Sequence, residues 1–288
     1  MSSAVDAVTN RTKEPSLPWA LWLRQIGAIF RFEVHKNFLG RRAILIYLLA
    51  LLPLFPLLIL AVFQPPGNEW RDFNRIKEIY AMLYNGLILR TVVFFGSAWI
   101  FMNLFRGEIV DRSLHYYFLS AVRRDVLLVG KYISGLVTSI VLFVGTTVAA
   151  MLLLYVPHFY SQSMRYFGEG QGMGQILTYA GITILACIGY GAFFLVVGLF
   201  IRNPIIPALL LYGWEWLNFL LPPLLKKISV IHYLNSLVPI PISEGPFAVV
   251  AEPTPAYIAI PSMLGVTIVV LVVAAYRIRH MEIRYGSD

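Results

Sequence analysis

Long apolar segments separated by short polar ones run through almost the whole chain. Each has roughly the 17 to 25 residues that a helix needs to cross about 30 Å of hydrocarbon. None alternates like a barrel strand, and inside a bilayer only helices or closed barrels satisfy every backbone group. The pattern therefore predicts an all-α, polytopic membrane protein with six transmembrane helices, at residues 43–63, 80–105, 132–156, 176–201, 204–221 and 256–276.

The segment before the first span, residues 19–42, is amphipathic. At 100° per residue Trp22 and Ile29 fall on one face, and Arg31 falls on the other. This arrangement predicts an N-terminal interfacial helix on the inner leaflet, with its indole at the level of the lipid headgroups. Glu33 interrupts the apolar face, so its carboxylate requires a partner, either a nearby basic residue or the surface of another protein.

Composition agrees with a membrane protein, since 58% of the residues are hydrophobic, 13% are charged and the mean hydropathy is +0.72. The net charge of +8 does not indicate nucleic acid, because the basic residues alternate with the spans. Sixteen Lys and Arg lie in segments 1–42, 106–131 and 277–288 and at position 202, and six lie in the other connections. The positive-inside rule therefore predicts that both termini are cytoplasmic, with disordered or short tails at 1–18 and 277–288.

The longest connection, residues 222–255, contains seven prolines and one short amphipathic piece. It is too short to cross the membrane twice. Two interpretations stay open for this outer loop. One is a re-entrant or surface helix that caps the outer mouth of the bundle, and the other is an ordinary proline-rich surface loop.

Sequence signals for enzymatic chemistry are missing. No glycine-rich phosphate loop is present, and Lys131 is followed by Tyr rather than Ser or Thr. The five histidines are scattered without metal-ligand spacing, and the single cysteine, Cys187, falls inside a predicted span. We therefore expect no enzyme, no metal site and no cofactor in this chain.

Two ionisable residues fall inside predicted spans, Arg90 in the second and Glu215 in the fifth. Each is costly in hydrocarbon unless it faces protein or water. Counted from the inner boundary of the membrane, both lie at depths that would let them pair. A structural ion pair and a role in substrate passage are both open. Trp214 and Trp216 flank the carboxylate and are consistent with either interpretation.

Residues 106–131 form a charged block between the second and third spans. The block begins with polar residues, continues with an apolar and aromatic stripe and ends with two arginines. This pattern predicts a short helix parallel to the membrane, whose aromatic side either docks into a groove of a cytosolic partner or belongs to a solvated loop. The residues that define the pattern are Arg106, Glu108, Asp111, Arg112, Leu114, Tyr117, Phe118, Val122, Arg123 and Arg124.

The order of residues in this block resembles the coupling segment of ABC exporter permeases of the type-2 class. The matching positions are Glu108, Asp111, Arg112, Ser113, Leu114, Ser120, Val122, Arg124, Gly130 and Lys131. The stretch from Glu33 to Arg42 is similar to the charged segment that precedes the first span in that family. The chain departs from the family pattern at Arg112-Ser113, where Gly-Thr is common, and at Ala121, where Pro is common, and these departures change the local turn.

The resemblance implies a permease subunit in the plasma membrane, paired with a second copy or a related permease. A separate cytosolic ATPase would bind Mg-ATP, and neither cofactor nor nucleic acid would bind this chain. Residues implied to couple to the ATPase are Glu33, Glu108, Asp111, Arg112, Ser113, Leu114, Tyr117, Arg123 and Arg124. Residues implied to line the substrate path at the dimer interface are Arg90, Asn103, Trp214, Glu215 and Asn218.

Two other classes of function remain alternatives. A transporter driven by an ion gradient would show inverted repeats and several titratable groups in mid-membrane, whereas the sequence has no internal repeat and one intramembrane acid. A membrane scaffold or assembly factor without transport conflicts with no feature of the sequence. The cargo of an exporter is left open.

Overall fold

The computed structural model describes residues 19–41, 43–63, 73–110, 119, 122–155, 160–201, 203–240, 249 and 252–280. Within these residues every regular element is helical, which confirms the predicted all-α class. The elements are α1 (Trp19–Leu39), α2 (Ala43–Leu51), α3 (Leu54–Phe63), α4 (Phe73–Leu83), a π-helical section (Tyr84–Val93), α5 (Phe94–Val110), α6 (Arg124–Tyr155), α7 (Tyr160–Gly168), α8 (Gln171–Phe200), α9 (Ile205–Trp216), a 3₁₀ turn (Leu217–Leu220), α10 (Pro223–Lys226), α11 (Val230–Ser236) and α12 (Ala256–Arg279).

Five helical stretches in the described part of the chain are long and apolar enough to cross a membrane. They are Ala43–Phe63, Phe73–Ile109, Arg124–Tyr155, Gln171–Phe200 and Ala256–Arg279. The predicted fifth span, 204–221, is instead a shorter apolar helix, Ile205–Leu220. At about 1.5 Å per residue it extends roughly 24 Å, less than the ~30 Å of hydrocarbon, before the chain turns at Pro222. Six predicted spans thus correspond to five long helices and one short one.

The second long helix extends beyond the predicted 80–105 because its first turns are amphipathic. Ile76 and Tyr80 in α4 are fully buried, while Arg75 and Glu78 stay exposed and pair with each other at 3.0 Å. The helix therefore continues past the apolar segment for as long as one of its faces can pack.

Helix α8 lies at the centre of the bundle and packs against α5, α6 and α12. Its approach to α5 is close because Gly198 has no side chain, and a Cβ there would lie 2.8 Å from the Met102 carbonyl oxygen. At Gly191 the ring of Phe101 fills the space that a Cβ would take. The buried aromatic residues of this core include Phe94, Phe101, Tyr190 and Phe194.

One end of the bundle gathers elements that are far apart in sequence. Helix α1, the end of α5, the start of α6 and the end of α12 meet there. The connection from α5 to α6, residues 111–123, is called the loop, and both helices that it joins reach this end. We call this end of the bundle the loop end. Toward the opposite end, residues 222–237 turn back into the bundle, and Ile231 and Leu234 of α11 are fully buried against α8 and α12. We call residues 222–237 the return segment.

Candidate functional site at the loop end

A cluster of four charged side chains, three of them buried, joins three helices at the loop end. Lys131 of α6 is fully buried and forms ion pairs with Glu33 of α1 and with Glu108 of α5, the latter at 2.6 Å. Its ammonium also donates to the Leu104 carbonyl oxygen at 2.9 Å. Lys36 lies 3.7 Å from the Glu108 carboxylate. We call Glu33, Lys36, Glu108 and Lys131 the buried charge cluster.

Close packing of α1 on α6 places the Glu33 carboxylate beside Lys131. Ile29 and Glu33 are four residues apart, so they project from one face of α1, and both are buried. Opposite them, Gly130 has no side chain, and a Cβ there would lie 3.0 Å from the Ile29 side chain. A glycine immediately before the lysine therefore lets the two helices approach closely enough for the ion pair to form.

The formal charges of the cluster balance, with two lysines against two carboxylates. Burying a charge is costly unless it is paired and hydrogen-bonded, and removing one member of a buried pair leaves the other uncompensated. Glu108 and Lys131 flank the loop on its two sides, while Glu33 belongs to the preceding helix. The cluster therefore holds the two ends of the loop together and fixes both against α1.

A second set of contacts ties the exit of the loop to α12. Arg279 donates to the Asp125 carboxylate through two nitrogens, at 2.7 and 2.8 Å. Arg124 donates to the carbonyl oxygens of Ile278 and Arg279, at 3.1 and 2.8 Å. A cation over the last carbonyls of a helix is favourable because it meets the negative end of the helix dipole.

Arg123, also at the loop exit, is directed toward α1. Its guanidinium lies 4.7 Å from the centre of the Trp22 ring and 3.3 Å from the Asp125 carboxylate. A cation over an indole face gains electrostatic energy from the ring quadrupole. The start of α6 therefore contacts both the first and the last helix of the described chain.

The residues predicted to couple to an ATPase fall into three groups. Glu33 and Glu108 are buried, and each is 1% exposed. Both carboxylates form ion pairs with Lys131 inside the chain. Arg123 and Arg124 lie at the start of α6, as described above. Asp111, Arg112, Ser113, Leu114 and Tyr117 lie outside the described residues.

Glu215, a predicted substrate-path residue, binds the return segment. It is 3% exposed and accepts hydrogen bonds from Ser229 Oγ at 2.7 Å, from the Val230 backbone nitrogen at 3.1 Å and from the Ile231 backbone nitrogen at 2.9 Å. These donors lie at the start of α11, where backbone N–H groups have no partner within the helix. Arg90 interacts with Glu215 electrostatically. We call Glu215 and these three donors the carboxylate cap.

The other predicted path residues do not form a single continuous surface. Asn218 is buried and donates to the Lys226 carbonyl oxygen at 3.4 Å, and Trp214 is half-buried beside Glu215. Arg90 donates to Asn85, whose amide donates to Asn235 of the return segment at 2.8 Å. Asn103 lies about 20 Å further along its helix than Arg90, toward the loop end.

Sequence reasoning did not identify the centre of the cluster as a site residue. The sequence places Lys131 at the end of the charged block and marks Glu33 as an acid that requires a partner, but it does not pair the two. The signal was present in both observations, since a buried acid and a buried base are each costly alone. The Ser229 hydroxyl and the buried Lys226 near the carboxylate cap were also missed.

Among the described residues no group of three or more His, Cys, Asp or Glu side chains is placed to hold a metal ion. No protein-family model, no curated protein and no solved structure matches this chain. Its function has to be argued from its own residues.

Proposed function

We propose that the chain is the membrane subunit of an ATP-driven ABC exporter of the type-2 class. It would reside in the plasma membrane with six membrane crossings and both termini in the cytoplasm, and α1 would lie along the inner leaflet. It would act as a dimer with a second copy or a related permease, together with a separate cytosolic ATPase that binds Mg-ATP. The observation that carries the proposal is the buried charge cluster, which fixes both flanks of the loop to α1.

A transport subunit without a motor of its own must receive force from outside. The ATPase can switch the helices between two arrangements only by binding one of them better than the other. A loop that moved independently of the helices would not transmit that preference. In this chain the loop flanks are joined to α1 through Glu33 and to α12 through Asp125, so a displacement of the loop would move four helices together.

The proposed coupling residues take two roles. Asp111, Arg112, Ser113, Leu114 and Tyr117 would contact the ATPase directly, together with the arginines at the loop exit. Glu33 and Glu108 would act from inside the chain, by holding the loop flanks against α1. Of the predicted substrate-path residues, Asn103 and Trp214 remain candidates for contact with cargo. The polar side chains of Glu215 and Asn218 are hydrogen-bonded to the return segment.

The test is purification of the tagged chain from its native membranes, with and without a double charge reversal in the loop, Asp111→Lys with Arg112→Glu. We expect an ATPase subunit to copurify with the unaltered chain. The amount that copurifies with the variant should be at least about tenfold lower, because like charges would face each other across the interface. The matched control reverses the exposed pair at the opposite end, Arg75→Glu with Glu78→Lys, which also leaves the net charge unchanged.

Two outcomes would contradict the proposal. One is that neither the unaltered chain nor the control retains any ATPase, and the other is that substrate flux in reconstituted vesicles does not depend on ATP. Flux driven by an ion gradient would favour a secondary transporter. Absence of any flux, with the chain still bound to other membrane proteins, would favour a scaffold.

A further inference from the structure

We propose that the loop end carries a binding site for an anionic phospholipid, with the headgroup held by Lys36 and Arg41 and one acyl chain lying in the adjoining apolar groove. The proposal is independent of the ATPase assignment. It rests on two neighbouring cavities, one polar and one apolar, that share lining residues. The polar cavity lies nearer the loop end and the apolar one nearer the middle of the bundle, which is the order of headgroup and acyl chain in a lipid.

The polar cavity lies between the end of α1, the start of α2 and α5, and its volume is about 230 Å³. Lys36, Asn37, Arg41 and Asn103 contribute its polar lining. The acid that also lines it, Glu33, is engaged by Lys131 in the buried charge cluster. The other charged groups of the cavity are two cations, Arg41 and Lys36, and the Lys36 side chain is about one third exposed although it also lies 3.7 Å from the Glu108 carboxylate. A phosphate is the group that two cations and neighbouring amides bind well.

A buried donor at this cavity supports an anionic ligand. The Asn37 Nδ2 atom is buried and has no hydrogen-bond partner among the described residues. A buried donor without a partner costs about 1–3 kcal/mol in a folded protein, so such groups are rare in the absence of a ligand or an ordered water. An acceptor oxygen at the cavity would satisfy this amide.

The apolar groove lies between α2, α5 and α9, and its volume is about 370 Å³. Its lining consists almost wholly of apolar side chains, among them Phe95, Met102, Ala208 and Leu209. Ile46 and Trp99 line both this groove and the polar cavity. The two spaces are therefore neighbours that meet at these two side chains.

The order of the two spaces along the helices matches a lipid in a bilayer. Arg41 precedes the first apolar helix, and Asn103 lies near the inner end of the predicted second span, so the polar cavity lies at headgroup level. From Asn103 to Phe95 the groove extends about 12 Å along α5 toward the middle of the bundle. Trp99 lies between the two spaces, and an indole suits the boundary between headgroups and acyl chains.

The test is lipid binding by the purified chain, followed by native mass spectrometry with phosphatidylglycerol and phosphatidylcholine as probes. We expect the unaltered chain to retain phosphatidylglycerol at least about tenfold more strongly than phosphatidylcholine. Each cation near an anionic headgroup raises the binding affinity by about fivefold. The double variant Lys36→Gln with Arg41→Gln should lose this preference. A control that removes two cations at the opposite end, Arg75→Gln with Lys227→Gln, should keep it.

The apolar groove is tested separately. Ala208→Phe or Leu209→Trp should weaken retention of both lipids several-fold, whereas Leu210→Phe, at an exposed position outside the groove, should not. Thermal unfolding identifies any variant that fails to fold. If one groove variant does not fold, the other still tests the groove. Equal retention of the two lipids by the unaltered chain, or no effect of either folded groove variant, would overturn the proposal.

A second copy of the chain is the competing occupant of the groove. Cys187 is buried, so a cysteine introduced at Leu209 would be the reactive thiol for cross-linking. Efficient cross-linking of two copies through this position, together with equal retention of the two lipids, would assign the groove to a protein interface and overturn the lipid site. Cross-linking no greater than at Leu210→Cys is the expected result.

Discussion

The buried charge cluster at the loop end and the carboxylate cap of the return segment satisfy buried acids in different ways. At the loop end, Glu33 and Glu108 are held by the ammonium of Lys131, which lies 98 residues from Glu33 and 23 residues from Glu108. In the cap, Glu215 is held by a hydroxyl and two backbone N–H groups that lie 14 to 16 residues further along the chain.

This difference separates a long-range connection from a local one. An ion pair between distant helices opposes any motion that would part them, because parting leaves a charge uncompensated in a medium of low dielectric. A carboxylate bound to nearby backbone groups fixes the shape of one segment. The ion pairs of the loop end therefore resist separation of its helices, and the cap holds the return segment in place.

The largest expected effect is at Lys131. Lys131→Ala leaves two buried carboxylates without their cation, and we expect the free energy of unfolding to fall by about 3–5 kcal/mol. The measurement is reversible unfolding in detergent, or the melting temperature where unfolding is irreversible. The triple variant Lys131→Met, Glu33→Gln, Glu108→Gln removes the three buried charges together, leaves the partly exposed Lys36, and should recover most of the loss. No recovery would mean that packing, and not charge, dominates at this site.

The carboxylate cap should respond less strongly. Glu215→Ala leaves the Ser229 hydroxyl and two backbone donors without their acceptor, so we expect a loss of about 2 kcal/mol. Because the cap is local, hydrogen exchange of α11 should increase while that of α1 and α6 stays unchanged. Glu252→Ala, in an exposed stretch of the same connection, is the control. Faster exchange throughout the bundle would show that the cap is as far-reaching as the charge cluster.

An exposed ion pair at the loop end provides a third point of comparison. Asp125→Asn removes a two-point contact with Arg279, yet both side chains are partly or largely exposed to solvent. Exposed pairs contribute little and are screened by salt, so the melting temperature should change by at most about 3 °C. The change should vanish in ~1 M salt, whereas that of Lys131→Ala should persist. Persistence of the Asp125 effect at high salt would contradict this ranking.

The smallest effect is expected at Arg123. Arg123→Ala removes an exposed cation from the face of Trp22, which contributes about 0.5 kcal/mol at such sites. Because the chain contains six tryptophans, the measurement is the difference in intrinsic fluorescence between chains with Trp22 and chains with Trp22→Phe, since removal of the cation changes the environment of the Trp22 indole. Arg123→Lys should restore part of the original signal. A large loss of stability in the Ala variant would show that this contact anchors α1 more strongly than its exposure implies.

The helices could be predicted from the sequence because their apolar lengths match a bilayer, and that constraint is local. The bounds of the fifth predicted span, 204–221, agree with Ile205–Leu220, but the sequence does not show that its last four residues, Leu217–Leu220, form a 3₁₀ turn. The start of the second long helix was also missed, since its amphipathic turns carry Arg75 and Glu78 and therefore look like a polar connection.

The candidate site was predicted in part. The sequence marked Glu33 and Glu215 as acids that need partners, because a single residue suffices to recognise a costly charge. It did not reveal which partners they take. Lys131 lies 98 residues from Glu33, and their contact depends on the packing of α1 against Gly130. Glu215 meets the start of α11 only because the return segment folds back onto the bundle, and the sequence does not show that fold.

The π-helical section Tyr84–Val93 lets one continuous helix, Phe73–Val110, bury different faces before and after it. Before it, Tyr80 donates to the Thr147 carbonyl oxygen of α6, and after it Phe101 and Met102 lie against the glycines of α8. Each extra residue in a widened turn advances the buried stripe by about 100° around the axis. Deleting one residue within this section would rotate the following part of the helix by about 100°, and it would turn Phe101 and Met102 away from the glycines of α8.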